Sequence, residues 1–401
     1  MRLHRPLLLA LSAACTDIFQ EGTYADKAVE RLLKSNPKWG SRDRAFLAEN
    51  TYEIVRWKRL LEALCGLPPG ADGQHFFRLA GVNLILKNVE LPDWEEFKGL
   101  NPKAIFEKRK ALATDRKIAQ SIPDWLDEVG AAELGEKWPV ELAALNQTAP
   151  VVLRANTLKT NPKELKKLLA ADAWESQETL LAPDALVLEK RGNIFQNSLF
   201  KQGYFEVQDA GSQAIAPFLQ VEPGMRVVDA CAGAGGKSLH LAALMQNKGS
   251  IIALDTEAWK LTELQRRARR NGVHILQTRP IESTKTIKRL HGTADRLLLD
   301  VPCSGLGTLR RNPDAKWKLS PEFLERVRAT QAEILCSYSR ILKPGGKMVY
   351  ATCSILPSEN ERQVERFLSE NKDFKLLAER HISPAMDGFD GFYMALLEMD
   401  K

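Results

Sequence analysis

Apolar positions recur at helical spacing from Arg2 to about Lys117. The segment Asp26-Lys27-Ala28-Val29-Glu30-Arg31-Leu32-Leu33 shows this period, as does Ala45 to Trp57 behind the capping candidate Ser41. Pro68-Pro69-Gly70-Ala71-Asp72-Gly73 reads as a loop, and Phe76 to Leu86 as another buried helix. Between Ala113 and Gln147 the register is harder to follow. Trp125, Trp138 and an acidic helical pattern at Glu128 to Glu136 suggest a helical connector. At Pro150 to Asn156 the pattern turns to a short β-like run. A helix at Pro162 to Ala170 follows, then strand-like pieces at Ala185 to Leu188 and Tyr204 to Gln208, so a small α/β or α+β subdomain is expected.

Beyond that point strand and helix alternate. The expected strands are Arg226 to Asp229, Gly249 to Asp255, Arg296 to Asp300 and Lys347 to Thr352, and the expected helices are Leu239 to Met245, Trp259 to Arg270 and Pro321 to Leu342. Short apolar runs spaced by helices predict a mostly parallel α/β sheet covered on both faces. In such sheets ligands bind beyond the carboxyl ends of the strands. The expected organisation is a helical domain over 1–140, a small α+β subdomain over 141–215 and the large α/β domain over 216–401.

Composition narrows the class. The 401 residues carry a net charge of +6, with 44% hydrophobic and 27% charged positions. A disordered or fibrous chain is excluded, and an anionic partner is permitted without being demanded. No apolar run approaches the roughly 20 residues that cross a bilayer. Met1 to Arg5 followed by Pro6 to Ala14 and Cys15 imitates a signal peptide. However, Ser12-Ala13-Ala14-Cys15 departs from the lipoprotein pattern, and Ile18 and Phe19 continue the apolar period, so the stretch is read as a helix. Six scattered cysteines without metal-ligand spacing suggest reduced thiols in a cytoplasmic protein, with no metal centre and no membrane anchor.

The unusual residues all fall at strand ends. Asp229-Ala230-Cys231-Ala232-Gly233-Ala234-Gly235-Gly236-Lys237-Ser238 is a glycine-rich strand-to-helix turn, which frees helix N-terminal amides for a ligand. It matches neither the dinucleotide fingerprint nor a Walker loop, and alone it is a weak signal. Asp255 ends the second strand, where such folds place an acid on a ribose, although a lone acid there is as readily a helix cap. Asp300-Val301-Pro302-Cys303-Ser304-Gly305 ends the third strand, and Thr352-Cys353-Ser354 ends the fourth. One cysteine is commonly a small buried hydrophobe. Two at the carboxyl edges of strands, facing a cofactor loop, point to thiol chemistry, a disulfide fitting poorly with a reducing compartment.

With these motifs in hand, the chain resembles the Sun/Fmu-type RNA cytosine-5 methyltransferases. The resemblance spans about residues 150–397 and rests on Gln208-Asp209-Ala210-Gly211-Ser212-Gln213, Asp229 to Lys237, Asp300 to Thr308 with Arg310, Arg311, Pro313, Asp314 and Trp317, Lys343-Pro344-Gly345-Gly346, Thr352-Cys353-Ser354 with Glu359-Asn360-Glu361, and Asp390-Gly391-Phe392-Tyr393. It implies a Rossmann-like S-adenosylmethionine-dependent domain acting on RNA, most naturally ribosomal, in a chain expected to be monomeric. Cys353 is then the nucleophile, Cys303 assists release, and Asp300 grips the cytosine and faces the cofactor. Cys231, Ala232, Gly233, Ala234, Gly235, Gly236 and Lys237 wrap the cofactor's methionine portion, with Asp255 on its ribose. DNA cytosine methyltransferases place the nucleophile in the Pro-Cys motif, so spacing alone does not choose between the thiols. More loosely, Ser41 to Phe46 with Val55 to Arg59 is similar to the NusB-like RNA-binding domain of ribosomal-RNA members.

The chain departs from the family at Ala234, where a proline is usual, and at Arg279, where an acid is common near the adenine. Arg310, Arg311 and Lys316 are read as phosphate contacts. The basic run Arg266 to Arg270 is read first as a helix C-terminus satisfying its dipole. The competing readings are the same chemistry on transfer RNA, an RNA-binding assembly factor without turnover, and, more distantly, a nicotinamide dehydrogenase.

Overall fold

A computed structural model describes residues 3–66, 68, 70 and 72–401. Met1 and Arg2 of the signal-like stretch, and Pro69 and Ala71 of the expected loop, lie outside the described residues. The chain divides into two compact units, Met1–Gln147 with Leu309–Pro321, and Thr148–Thr308 with Glu322–Lys401. The first unit therefore takes a segment from within the expected 216–401 span.

The first unit is helical. Its principal helices are α1 (Arg5–Phe19), α2 (Ala25–Ser35), α3 (Ser41–Cys65) and α4 (Gly73–Leu86). The signal-like stretch is α1, whose Leu7, Leu8, Leu11 and Cys15 are buried in the core of this unit. Ser41 is not the cap it was expected to be. Gly40 holds the N-cap position of α3 with no side-chain bond, and Ser41 is already helical. No helix among the described residues is long and apolar enough to cross a membrane.

The second unit holds two sheets. In the small one, β1 (Val152–Ala155), β2 (Ser176–Glu178), β3 (Ala185–Leu188) and β4 (Phe205–Val207) run antiparallel in the order β2-β3-β1-β4. The large sheet contains β5 (Arg226–Asp229), β6 (Ser250–Asp255), β7 (Leu276–Pro280), β8 (Ala294–Asp300), β9 (Leu342–Thr352), β10 (Phe374–Ile382) and β11 (Phe392–Met399). Their order is β10-β11-β9-β8-β5-β6-β7, with β11 antiparallel to both its neighbours and the other six strands pointing the same way. This is the expected Rossmann-like α/β architecture.

The four central strands were legible because Val227, Val228, Ile251, Leu254, Leu297 and Val349 are buried between layers on both faces. The three unpredicted strands lie toward the edges. β7 mixes exposed Gln277 and Arg279 with half-buried neighbours, and β10 exposes every residue from Lys375 to His381. Neither carries the apolar run of a central strand. Helix Pro321–Tyr338 stops before the expected Leu342, because Leu342 already belongs to β9.

Adjacency of β8 and β9 has the main functional consequence. Their parallel register pairs Asp300 with Ala351, so the two thiol-bearing turns leave the sheet side by side. β5 lies on the other flank of β8 and delivers the glycine turn to the same edge.

Candidate active site

After β5 the chain enters the glycine turn and then the helix Gly236–Leu244. Gly235 sits at the helix N-cap with φ of 87°, and no side chain caps this helix. A Cβ at Gly235 would meet Leu264 Cδ1 at 1.9 Å, so neither conformation nor space admits another residue. Outer contacts hold the turn in place. Arg267 Nη1 donates to Ala234 O at 2.7 Å, Arg154 Nη1 donates to Gly236 O at 2.5 Å, and Asp255 Oδ2 accepts Gly233 N–H at 2.8 Å. Glu206 in turn accepts from Arg267 at 2.9 Å and from Arg270 and Asn271 at 2.5 Å each. Arg267 of the basic run, with Arg154, therefore braces the glycine turn from behind, a role that neither the helix dipole nor phosphate binding anticipates.

The turn lines a cavity of about 280 Å³ together with Gln208, Ser212, Asp229, Arg267 and Asp300. Both Asp255 oxygens accept a backbone N–H, from Gly233 and Glu257 at 2.8 Å each. A carboxylate oxygen has a second lone pair, so capping and ribose binding are compatible. Burial pushes the Asp229 carboxyl up to about 7, with Ser238 donating against that rise and Asp300 adding to it. Burial and the carboxylates of Asp229, Asp300 and Asp255 likewise drive the Cys231 thiol well above its usual range, which leaves it a poor nucleophile. A close-approaching glycine backbone, acids on several sides and the cations of Lys237 and Arg267 fit a ligand that carries charge of both signs and hydroxyls.

Lys237 closes one side of the cavity, its Nζ 2.5 Å from Asp300 Oδ2. Burial alone would lower the Lys237 ammonium, but Asp300 outweighs it, with Cys353 and Asp229 adding to the rise. The ammonium stays charged.

Beyond β8 and β9, Cys303 Sγ and Cys353 Sγ lie 3.2 Å apart as free thiols. The separation is far outside the roughly 2.05 Å of a disulfide and suits an S–H···S contact. The hydrogen bond to Cys353, burial, and the charges of Cys353 and Glu359 push Cys303 well above the usual thiol range. These influences favour the neutral Cys303 thiol, and either sulfur can donate across the contact. Behind the pair, Glu359 accepts from the backbone and hydroxyl of Ser304, from Ser354 and from Gln331. Gly307 N donates to Cys353 O at 2.9 Å, and a Cβ on Gly307 would sit 2.1 Å from Gly391 O. A side chain at Gly307 would displace the Cys353 turn.

The structure thus brings together Cys303, Cys353, Asp300, Lys237, Asp255 and the residues from Cys231 to Gly236 in one unit. It treats the third group differently. Lys316 is 1% exposed, and its Nζ donates to Arg56 O at 2.8 Å and Asn146 Oδ1 at 3.2 Å. Burial pulls its ammonium well below the usual lysine range. Lys316 is a peg inside the helical unit, which corrects its expected phosphate contact. Arg310 is also buried, its carbonyl accepting from Arg56 Nη2 at 3.0 Å, whereas Arg311 is half-buried. Spacing could not separate these cations, because burial is not written into charge pattern. Arg154, Glu206 and Gln331 were missed for a related reason: each acts through a partner far away in the chain.

Comparison with known proteins gives a consistent picture. The family model for the 16S rRNA methyltransferase RsmB/F matches residues 216–398, and the ferredoxin-like domain of RsmF/B-like methyltransferases matches 122–195. A probable ribosomal RNA small subunit methyltransferase B from Synechocystis is 33% identical over 393 residues, covering 90% of this chain and 88% of that protein. The corresponding probable enzyme of Bacillus subtilis is 32% identical over 332 residues, covering 78% and 72%. Among solved structures, that of PH0851 superposes with a TM-score of 0.83 over 100% of both chains at 24% identity, which speaks for the fold. A methyltransferase homolog from Pyrococcus horikoshii gives a TM-score of 0.64 at 27% identity, over 71% of this chain and 98% of that one.

Proposed function

Because this chain belongs to the 16S rRNA methyltransferase RsmB/F family and is an S-adenosylmethionine-dependent rRNA methyltransferase, we propose that it methylates carbon 5 of a cytosine through a covalent bond to Cys353. The observation carrying this reading is the thiol pair 3.2 Å apart at the edge that also bears the glycine turn, with the Lys237 ammonium near Cys353.

Carbon 5 of cytosine is a poor nucleophile. Addition of the Cys353 thiolate to carbon 6 makes carbon 5 enamine-like and able to take a methyl group. The Lys237 ammonium favours that thiolate, and Asp300 accepts from the cytosine amino group or shares a proton at the ring nitrogen. As the adduct breaks down, Cys303 gives its proton to the departing Cys353 sulfur and as a thiolate takes the proton from carbon 5, so that the carbon 6–sulfur bond breaks and the ring double bond reforms. The residues from Cys231 to Lys237, with Asp255 and Asp300, would hold S-adenosylmethionine, which when bound would supply an electrophilic methyl group. Gly233, Gly235 and Gly236 would let the backbone approach it, with Arg154 and Arg267 holding the turn. A phosphate contact is proposed for Arg311. A base within a helix must be unstacked before a thiol can reach it, so the target cytosine is exposed or flipped out.

The test is adduct trapping. Cys303→Ala should accumulate a denaturation-resistant protein–RNA complex, and Cys353→Ala should abolish it together with methyl transfer. Normal turnover in both variants would overturn the mechanism. Bisulfite sequencing of ribosomal RNA from cells with and without the gene should show one lost methylcytosine, while a mark lost only from transfer RNA would move the substrate assignment there.

A further inference from the structure

The mechanism above routes no step through the buried carboxylate of Glu359. Glu359 is 0% exposed and has no Lys, Arg or His ion-pair partner among the described residues. Its oxygens accept instead from Ser304 N at 2.7 Å, Ser304 Oγ at 2.5 Å, Gln331 Nε2 at 3.1 Å and Ser354 Oγ. A buried carboxylate is costly unless satisfied, and neutral donors satisfy its lone pairs while leaving its charge in place. The donors are not scattered. Ser304 directly follows Cys303, Ser354 directly follows Cys353, and Gln331 also donates to Pro302 O at 2.9 Å, the residue before Cys303. Around the segment, Tyr350 OH donates to Glu359 O at 2.7 Å, and Asn360 joins Thr352 Oγ1 and Ser354 O at 2.5 and 3.1 Å.

We propose that Glu359 is a positioning residue that sets the two thiols apart, its bonds clamping the two Cys-Ser turns together and its carboxylate anchored on the Cys303 side by the backbone and hydroxyl of Ser304 against the single hydroxyl of Ser354. The inference rests on the covalent reading given above, and it deepens that reading by explaining why two near-identical turns differ. The groups facing the pair are few. Cys303 is acted on by Cys353, Glu359 and Tyr350, whereas Cys353 is acted on by Cys303 and by Lys237, itself paired with Asp300 and near Asp229. A carboxylate on one side and an ammonium on the other polarise the pair in one direction. Both hydroxyls are needed for the clamp, since one carboxylate reaches both turns only through them.

Site-resolved alkylation of the free full-length enzyme tests this without RNA or cofactor. Iodoacetamide modification followed by mass spectrometry at a series of pH values reports a midpoint for each cysteine. In the wild type, the Cys353 midpoint should lie below that of Cys303 by about one pH unit or more, about tenfold in thiolate fraction. Glu359→Gln keeps the shape and removes the charge, so the Cys303 midpoint should fall by about one unit. Glu359→Asp should restore much of the separation. Ser354→Ala removes one clamp bond and keeps the charge, so the order of midpoints should survive, and this holds the proposal to account should Glu359→Gln not fold. Equal midpoints in the wild type, an unmoved Cys303 in Glu359→Gln, or a reversed order in Ser354→Ala would each overturn it. An ordered pair that forms no RNA adduct would instead count against the covalent reading alone.

Discussion

The glycine turn after β5 and the thiol turns after β8 and β9 leave the same edge of one sheet, yet opposite charges hold them. Arg154 and Arg267 donate to carbonyls of the glycine turn and hold its backbone beside the cavity. Glu359 accepts from hydroxyls and a backbone amide behind the thiol turns, which leaves both sulfurs facing each other. Each support thus occupies the groups that the chemistry does not use. A turn that must offer donors is gripped by its acceptors, and a turn that must offer a soft nucleophile is gripped through its neighbouring serines.

The sharpest break in that comparison is at the thiols. Cys353→Ala should lower methyl transfer by about 10⁴-fold or more while leaving S-adenosylmethionine affinity within about twofold, measured by single-turnover assay and calorimetry. A comparable loss of cofactor affinity would mean that the two turns are not separable.

A pH effect on stability should come next, on the glycine-turn side. His240, in the helix that the turn opens, is buried with Nε2 3.2 Å from Asp184 Oδ2, and burial pulls it down to about 4. Its folded value lies below its unfolded value of about 6.5, so the unfolded chain binds the proton first. The stability contributed by neutral His240 is complete above about 6.5 and is lost as pH falls toward 4, by about 3 kcal/mol. Urea unfolding at several pH values should show this loss reduced in His240→Gln.

Smaller still is the bracing effect. Arg267→Ala should raise the KM for S-adenosylmethionine by about ten- to hundredfold with a lesser change in kcat, in line with loss of a charged hydrogen bond. A kcat loss with unchanged KM would place the arginine with the thiol turns instead. The smallest change is expected in the helical unit. Lys316→Met should alter RNA affinity by less than about twofold while lowering stability by about 1–3 kcal/mol, because its partners lose a buried donor. Arg311→Ala should weaken RNA binding more, as a lost phosphate contact does.

The chain itself determined that a parallel sheet would exist and that chemistry would sit at the ends of its strands. Those features are local: a short apolar run, a glycine turn and a Pro-Cys or Thr-Cys motif are each contained in about ten residues. The edge strands β7 and β10 were not legible because a strand half open to water has no apolar run to betray it. Only the tertiary structure decided that β8 and β9 are neighbours, which sets two sulfurs fifty positions apart at 3.2 Å. It also decided that Lys316 faces inward and that Arg267 backs the glycine turn. Charge and burial act through space, where the field at a thiol or an ammonium is set by residues the local pattern never contains.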